Sequence, residues 1–131
     1  MILLDTCAII WDALSPRQLS RKATKAIAKA DGQNALVISD ISFWEVAMLI
    51  QKQRLKTSEP AGNLLNLFLA SRSVAVKAIT PEIAELSVSF GSGLSKDPAD
   101  RIIAATAIVN NAQLITADQN MINNPMLDTL W

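Results

Sequence analysis

The chain has 131 residues, half of them hydrophobic, and its twelve basic residues match its twelve acidic ones, so it carries no net charge at pH 7. That length suits one domain, residues 1–131, with a core of its own, and the balanced charge gives no general attraction to a polyanion, so any basic patch must be local. The absence of histidine excludes serine-histidine and cysteine-histidine nucleophile pairs, and with Cys7 as the one cysteine it argues against a zinc site and rules out an internal disulfide. What remains is oxygen chemistry, in which carboxylates hold a hard cation such as Mg²⁺ or Mn²⁺ and the cation activates water.

Ile2-Leu3-Leu4 reads as a buried strand running into a helix over Cys7 to Leu14, which puts Asp5 at the strand's carboxyl end. No positive region or long apolar stretch of a secretory signal precedes it, and no apolar run approaches the ~20 residues that cross a bilayer. A cytoplasmic protein is expected. Ser15-Pro16 makes a break, and residues 17–30 are expected to form an amphipathic helix with Leu19, Ala23, Ala26, Ile27 and Ala30 inward. Arg17, Arg21, Lys25 and Lys29 recur every four residues on its other side, joined by Lys22. This stripe suits a phosphate backbone or an acidic partner segment, although a solvated helix face accounts for it as simply.

Asp31-Gly32 ends that helix, Ala35-Leu36-Val37-Ile38 is a second buried strand, and a further helix runs through Phe43 to Ile50. Glu45 shares a helical face with Ile41, Met48 and Leu49, an apolar setting that a purely structural acid would not favour. After the basic stretch of Lys52, Arg54 and Lys56 comes a segment around Leu64 to Leu69 that is apolar on more than one side, as expected of a wholly buried piece or an interface. A third strand centres on Val74-Ala75-Val76, a helix starts at Thr80-Pro81-Glu82 and ends near Phe90, and Gly91-Ser92-Gly93 reads as the most flexible loop.

Asp97-Pro98 starts the next helix, since proline at the first helical position has a suitable φ and no N–H to lose. Asp100, at the third position, faces the same side as Ile103, Ala104 and Ala107, so its carboxylate needs the N–H groups of its own helix start or a cation. A capping box, with Asp97 capping forward and Asp100 reaching back, is the simplest structural account. That helix ends near Asn110-Asn111, Ala112 to Thr116 is the fourth strand, and Asp118 follows it. Pro125 to Trp131 is long enough for a short edge strand. Alternating strands and helices imply a three-layer α/β/α sandwich around a mainly parallel sheet of four to five strands, with the carboxyl strand ends along one edge. Asp5, Glu45, Asp100 and Asp118 all belong to that edge, where their mutual repulsion calls for a cation.

Leu3-Leu4-Asp5-Thr6, Ser42-Phe43-Trp44-Glu45-Val46-Ala47, Asp97-Pro98-Ala99-Asp100-Arg101-Ile102-Ile103-Ala104-Ala105 and Leu114-Ile115-Thr116-Ala117-Asp118 together resemble the PIN-domain family, in particular its VapC-type toxins. The resemblance spans the chain in the family's order. It implies a Mg²⁺- or Mn²⁺-dependent endoribonuclease in which Asp5, Glu45 and Asp100 are metal ligands and Asp118 a fourth acid, with Thr6 and Thr116 as supporting hydrogen-bonding residues. It also implies an RNA substrate, a small antitoxin partner and a homodimer. Many relatives carry a histidine just before the Asp-Pro pair, where Ser95-Lys96 stand here. A PIN nuclease of housekeeping RNA processing and a PIN module that binds without cutting are the alternatives. A haloacid-dehalogenase-type phosphatase would want an aspartate at position 7, a receiver-type domain an acceptor aspartate after the third strand, and a Rossmann-like domain a Gly-x-Gly-x-x-Gly after the first. None is present.

Overall fold

Five strands form one parallel sheet in the order β3-β2-β1-β4-β5, in a computed structural model that describes all residues from Met1 to Trp131. The strands are β1 (Ile2–Leu4), β2 (Leu36–Ser39), β3 (Val74–Lys77), β4 (Gln113–Ile115) and β5 (Thr129–Leu130). Seven helices connect and cover them: α1 (Thr6–Leu14), α2 (Arg21–Gly32), α3 (Ile41–Gln51), α4 (Ala61–Ser71), α5 (Pro81–Ser87), α6 (Pro98–Val109) and α7 (Gln119–Ile122). The three-layer arrangement expected from the sequence is present, and the terminal segment supplies the parallel edge strand β5.

The central strands are apolar without alternation because both of their faces are covered. Leu4, Leu36, Ile38 and Ile115 pack with Ala8 and Ile9 of α1, Ala23, Ile27 and Ala30 of α2, and Phe68 of α4. Leu3, Val37 and Leu114 face the other way, onto Ile103, Ala104 and Ala107 of α6 and Met121 of α7. A smaller cluster of Ile10, Val46 and Leu64 ties α1, α3 and α4 together. The chain begins in the middle of the sheet, builds outward through β2 and β3, then crosses to β4 and β5. The carboxyl ends of β1 and β4 therefore flank the point where strand order reverses, the place where open α/β sheets bind ligands.

Local structure departs from the sequence expectation at three places. The helix expected over 17–30 is two elements: Pro16–Gln18 is a single 3₁₀ turn that carries Arg17, and α2 starts only after Ser20, whose Oγ accepts the Ala23 N–H at 3.0 Å. Its far end extends through Gly32, and Asn34 (φ 55°), not the glycine, takes the left-handed position before β2. The apolar 64–69 segment is neither wholly buried nor wholly exposed: Leu64 and Phe68 of α4 are in the core, while Leu67 is 63% exposed.

A partly buried three-residue ion network went unread in the sequence. Arg72, just after α4, donates through Nε and an Nη to the two carboxylate oxygens of Asp12 at 3.0 and 2.8 Å, and through its other Nη to Asp31 at 3.1 Å. Its partners lie 60 and 41 residues away, so no local spacing announces them. The fork geometry of the guanidinium staples α1 and the end of α2 to the start of β3.

Candidate metal centre

The carboxyl edge of the sheet opens into a cleft of about 390 Å³ lined by Asp5, Thr6, Cys7, Trp11, Glu45, Leu49, Asp97, Asp100, Ala117 and Asp118. All four acids expected from the sequence converge there, joined by a fifth, Asp97. No lysine or arginine lines it.

Each acid is placed by the element that carries it. Asp5 ends β1 and caps α1, one oxygen accepting the Ala8 N–H at 2.8 Å and the other the Thr116 hydroxyl at 2.5 Å. The same Thr116 oxygen accepts the Asp118 N–H at 3.1 Å, so one side chain at the end of β4 ties two of the acids together. Asp118 caps α7 through the Asn120 N–H at 2.8 Å. Glu45 lies a little over one turn into α3, 9% exposed, near Thr6, whose hydroxyl is 3.0 Å from that of Ser42. Thr116 thus touches two acids of the cluster, and Thr6 lies beside a third.

Asp97 and Asp100 do not form the expected capping box. Asp97 caps α6 forward through the Ala99 N–H at 2.9 Å, but Asp100 does not reach back to the Asp97 backbone. Its Oδ2 accepts from the Ser95 hydroxyl at 3.0 Å, and Ser95 Oγ takes over the Asp97 N–H at 3.3 Å. Asp100 is released into the cleft. One carboxylate oxygen from each of Glu45, Asp97 and Asp100 lies within 4.8 Å of the others, a set of hard donors that suits Mg²⁺ or Mn²⁺. Capping hid Asp97: the same residue caps a helix and faces the cleft, and only its i, i+3 relation to Asp100 hints at the second role.

The electrostatics show the strain of this cluster. Burial pushes Asp5 up to about 6, against the lowering effect of its Thr116 and Ala8 hydrogen bonds, and the Asp100 and Asp118 charges add to the rise. Asp100 is also pushed up to about 6, by desolvation first and then by Asp97, with Glu45 and Asp118 contributing and Ser95 opposing. Burial raises Glu45, a hydrogen bond from the Thr6 side chain opposes it, and the charges of Asp97 and Asp5 reinforce it. A divalent cation would oppose all of these shifts at once, since its charge favours the ionised carboxylates. Partial desolvation and four neighbouring carboxylates push the Cys7 thiol up to about 12, which leaves no thiolate nucleophile at neutral pH.

The basic stripe stands apart from this cleft. Arg17, Arg21, Lys22, Lys25 and Lys29 are all exposed, none lines the cleft, and none forms an ion pair, since the salt bridges of the structure are those of Arg72. No helix is long and apolar enough to cross a membrane.

Comparison with known proteins agrees with this architecture. The family model of the PIN domain matches residues 2–125. Ribonuclease VapC22 of Mycobacterium tuberculosis is 33% identical over 132 residues, covering 99% of this chain and 98% of that protein. Among solved structures, VapBC2 from Rickettsia felis bound to a DNA fragment from their promoter matches with a TM-score of 0.73 at 22% identity, over 99% of this chain and 98% of that one. A toxin-antitoxin complex from Klebsiella pneumoniae matches with a TM-score of 0.68 at 23% identity, over 100% and 97% of the two chains. A family match over nearly the whole sequence, together with an end-to-end relative, makes this chain a member of the PIN-domain family.

Proposed function

We propose that this protein is a Mg²⁺- or Mn²⁺-dependent endoribonuclease, the toxin of a type II toxin-antitoxin pair, built as a single PIN domain over residues 1–131. The observation that carries the reading is the convergence of five carboxylates from four separate segments on one cleft that holds no basic side chain. A fold can tolerate one buried acid with good hydrogen bonds, but several partly buried acids facing one another have no structural benefit and a clear use as a cation site. The ribonuclease name of the end-to-end relative and the toxin-antitoxin complexes among the structural matches support the same reading.

On this reading Asp5, Glu45, Asp100 and Asp118 would hold the cation and form the catalytic centre, with Asp97 beside them. When bound, a divalent cation offsets the carboxylate charge, polarises a phosphodiester and lowers the pKa of water for in-line attack. The chain's own residues prepare for it. Thr116 and the Ala8 N–H fix both oxygens of Asp5, and Thr6 supports Glu45. With pKa values of about 6, Asp5 and Asp100 are largely ionised at neutral pH, the form in which they would hold a cation. The stripe of Arg17, Arg21, Lys22, Lys25 and Lys29 supplies the phosphate attraction that the acidic cleft cannot. A cytoplasmic homodimer held in check by a small antitoxin completes the assignment.

Incubation of total cellular RNA with the purified, antitoxin-free protein tests this directly. Discrete fragments should form with Mg²⁺ or Mn²⁺, disappear with EDTA and be absent with a folded Asp100→Asn variant. Intact RNA after incubation with the folded, cation-loaded protein overturns the reading.

A further inference from the structure

The loop between α5 and α6 delivers a neutral hydroxyl to the acidic cluster. Ser95 Oγ donates to Asp100 Oδ2 at 3.0 Å and accepts the Asp97 N–H at 3.3 Å, so one side chain touches both residues that the start of α6 contributes to the cleft. Serine's short, mobile side chain can hold a carboxylate only if its own backbone is fixed.

Arg101 fixes it. Its Nε donates to the Ser95 carbonyl at 2.7 Å, and one Nη donates to the carbonyls of Gly91 and Leu94 at 2.5 and 3.2 Å. Asn124 adds a bond from its side-chain amide to the Gly93 carbonyl at 3.1 Å, and Leu94 is buried against α6. The glycine-rich 91–93 stretch, expected to be the most flexible loop, is thus anchored with the two residues after it through the carbonyls of Gly91, Gly93, Leu94 and Ser95. Arg101 follows Asp100 directly in sequence, yet it forms no ion pair with any acid of the cleft. Its donors are engaged by carbonyls, which a planar guanidinium can bridge and a lysine ammonium cannot match. An arginine paired with Asp100 would compete with a cation for the same oxygens. Here the charge is turned away and the cluster stays open.

We propose that Ser95, held in place by Arg101, is a positioning residue that sets the Asp100 carboxylate for cation binding. The inference rests on the metal-site reading above and deepens it: a neutral hydroxyl orients a ligand carboxylate without adding charge to the cluster.

Calorimetric Mn²⁺ titration of the full chain, with thermal unfolding of each variant as a control for folding, tests the proposal. Ser95→Ala should weaken Mn²⁺ binding by about tenfold, the effect typical of removing a group that orients a metal ligand, while its unfolding temperature stays near that of the native chain. Ser95→Thr keeps the hydroxyl and should bind Mn²⁺ as the native chain does. Arg101→Lys should weaken binding together with faster hydrogen exchange at the amides of residues 91–95. Native Mn²⁺ affinity in folded Ser95→Ala, or equal losses in the alanine and threonine variants, would overturn the positioning role alone. Absence of Mn²⁺ binding by the native chain would overturn the metal-site reading and this inference with it.

Discussion

Thr116 and Asp5 lie 111 residues apart in sequence and share a buried hydrogen bond of 2.5 Å, with the threonine hydroxyl as donor. Because β4 is the direct neighbour of β1, the strand pairing itself brings them together. The bond favours the ionised carboxylate and opposes the burial that lifts Asp5 to about 6.

Replacing Thr116 with valine keeps the shape and removes the donor, so the Asp5 pKa should rise further. For a carboxyl near pKa 6, one additional unit reduces the ionised fraction at pH 7 from about 90% to about half. Mn²⁺ affinity in Thr116→Val should therefore fall more at pH 6 than at pH 8. A loss independent of pH would show that the hydroxyl acts through orientation and not through the proton equilibrium.

The metal-free protein should be more stable in mild acid than at neutral pH. Asp5 and Asp100 have folded-state values of about 6 against an ordinary 3.8, so the folded chain binds more protons than the unfolded chain between those limits. Stability then declines as pH rises from about 4 to about 6 and changes little from this source above that. For Asp5 alone the difference is roughly 2–3 kcal/mol. Thermal unfolding in EDTA at pH 5 and pH 7.5 should show the higher midpoint at pH 5, and added Mn²⁺ should raise the midpoint at pH 7.5 much more than at pH 4.5.

Asp100→Asn should separate stability from activity. The amide removes a charge from the repelling cluster while its oxygen still accepts from Ser95, so the metal-free variant should unfold at a higher temperature than the native chain at pH 7.5. Its RNA cleavage should fall by at least about a hundredfold, the consequence of losing several kcal/mol of cation-assisted transition-state stabilisation. A variant both less stable and still active would contradict the role assigned to Asp100.

What the sequence made legible follows from the range of the interactions involved. Apolar runs at Leu3-Leu4, Val37-Ile38 and Leu114-Ile115 specify doubly covered strands, and once those are parallel the convergence of Asp5 and Asp118 is a consequence of topology. Glu45 stood out because an acid shared a face with Met48 and Leu49. Local competition was harder to read. The start of α2 moved four residues because Pro16 favours a tight turn and Ser20 is a better cap. The Asp97-Asp100 capping box gave way to Ser95, a residue outside the helix pattern. Arg72 and Arg101 were illegible for the same reason: a long side chain that bridges backbone carbonyls or distant acids leaves no periodic trace.

Asp97→Asn isolates the charge of Asp97 from its capping role. Asparagine is as good an N-cap as aspartate, so α6 should keep its start and global stability should change by no more than about 0.5 kcal/mol. Mn²⁺ binding should weaken nonetheless, because one of three oxygens within 4.8 Å of each other loses its charge. Unaltered Mn²⁺ affinity in this variant would return Asp97 to a purely structural role.

The α2 stripe can be tested by a change that should help the fold while harming function. Arg21 and Lys22 occupy the first turn of α2, where the helix dipole is positive, and no acid in that turn offsets them. Two cations there are unfavourable to the helix, so Arg21→Glu should stabilise α2, by about 0.3–1 kcal/mol. Combined with Lys25→Glu in the Asp100→Asn background, which prevents cleavage, it should weaken binding of a labelled single-stranded RNA. If both side chains neutralise phosphates, the slope of log affinity against log salt should become shallower by about 1.4, from about 0.7 per contact on a single strand. A double variant that is more stable but binds RNA with native affinity and native salt dependence would leave the stripe as a solvated helix face.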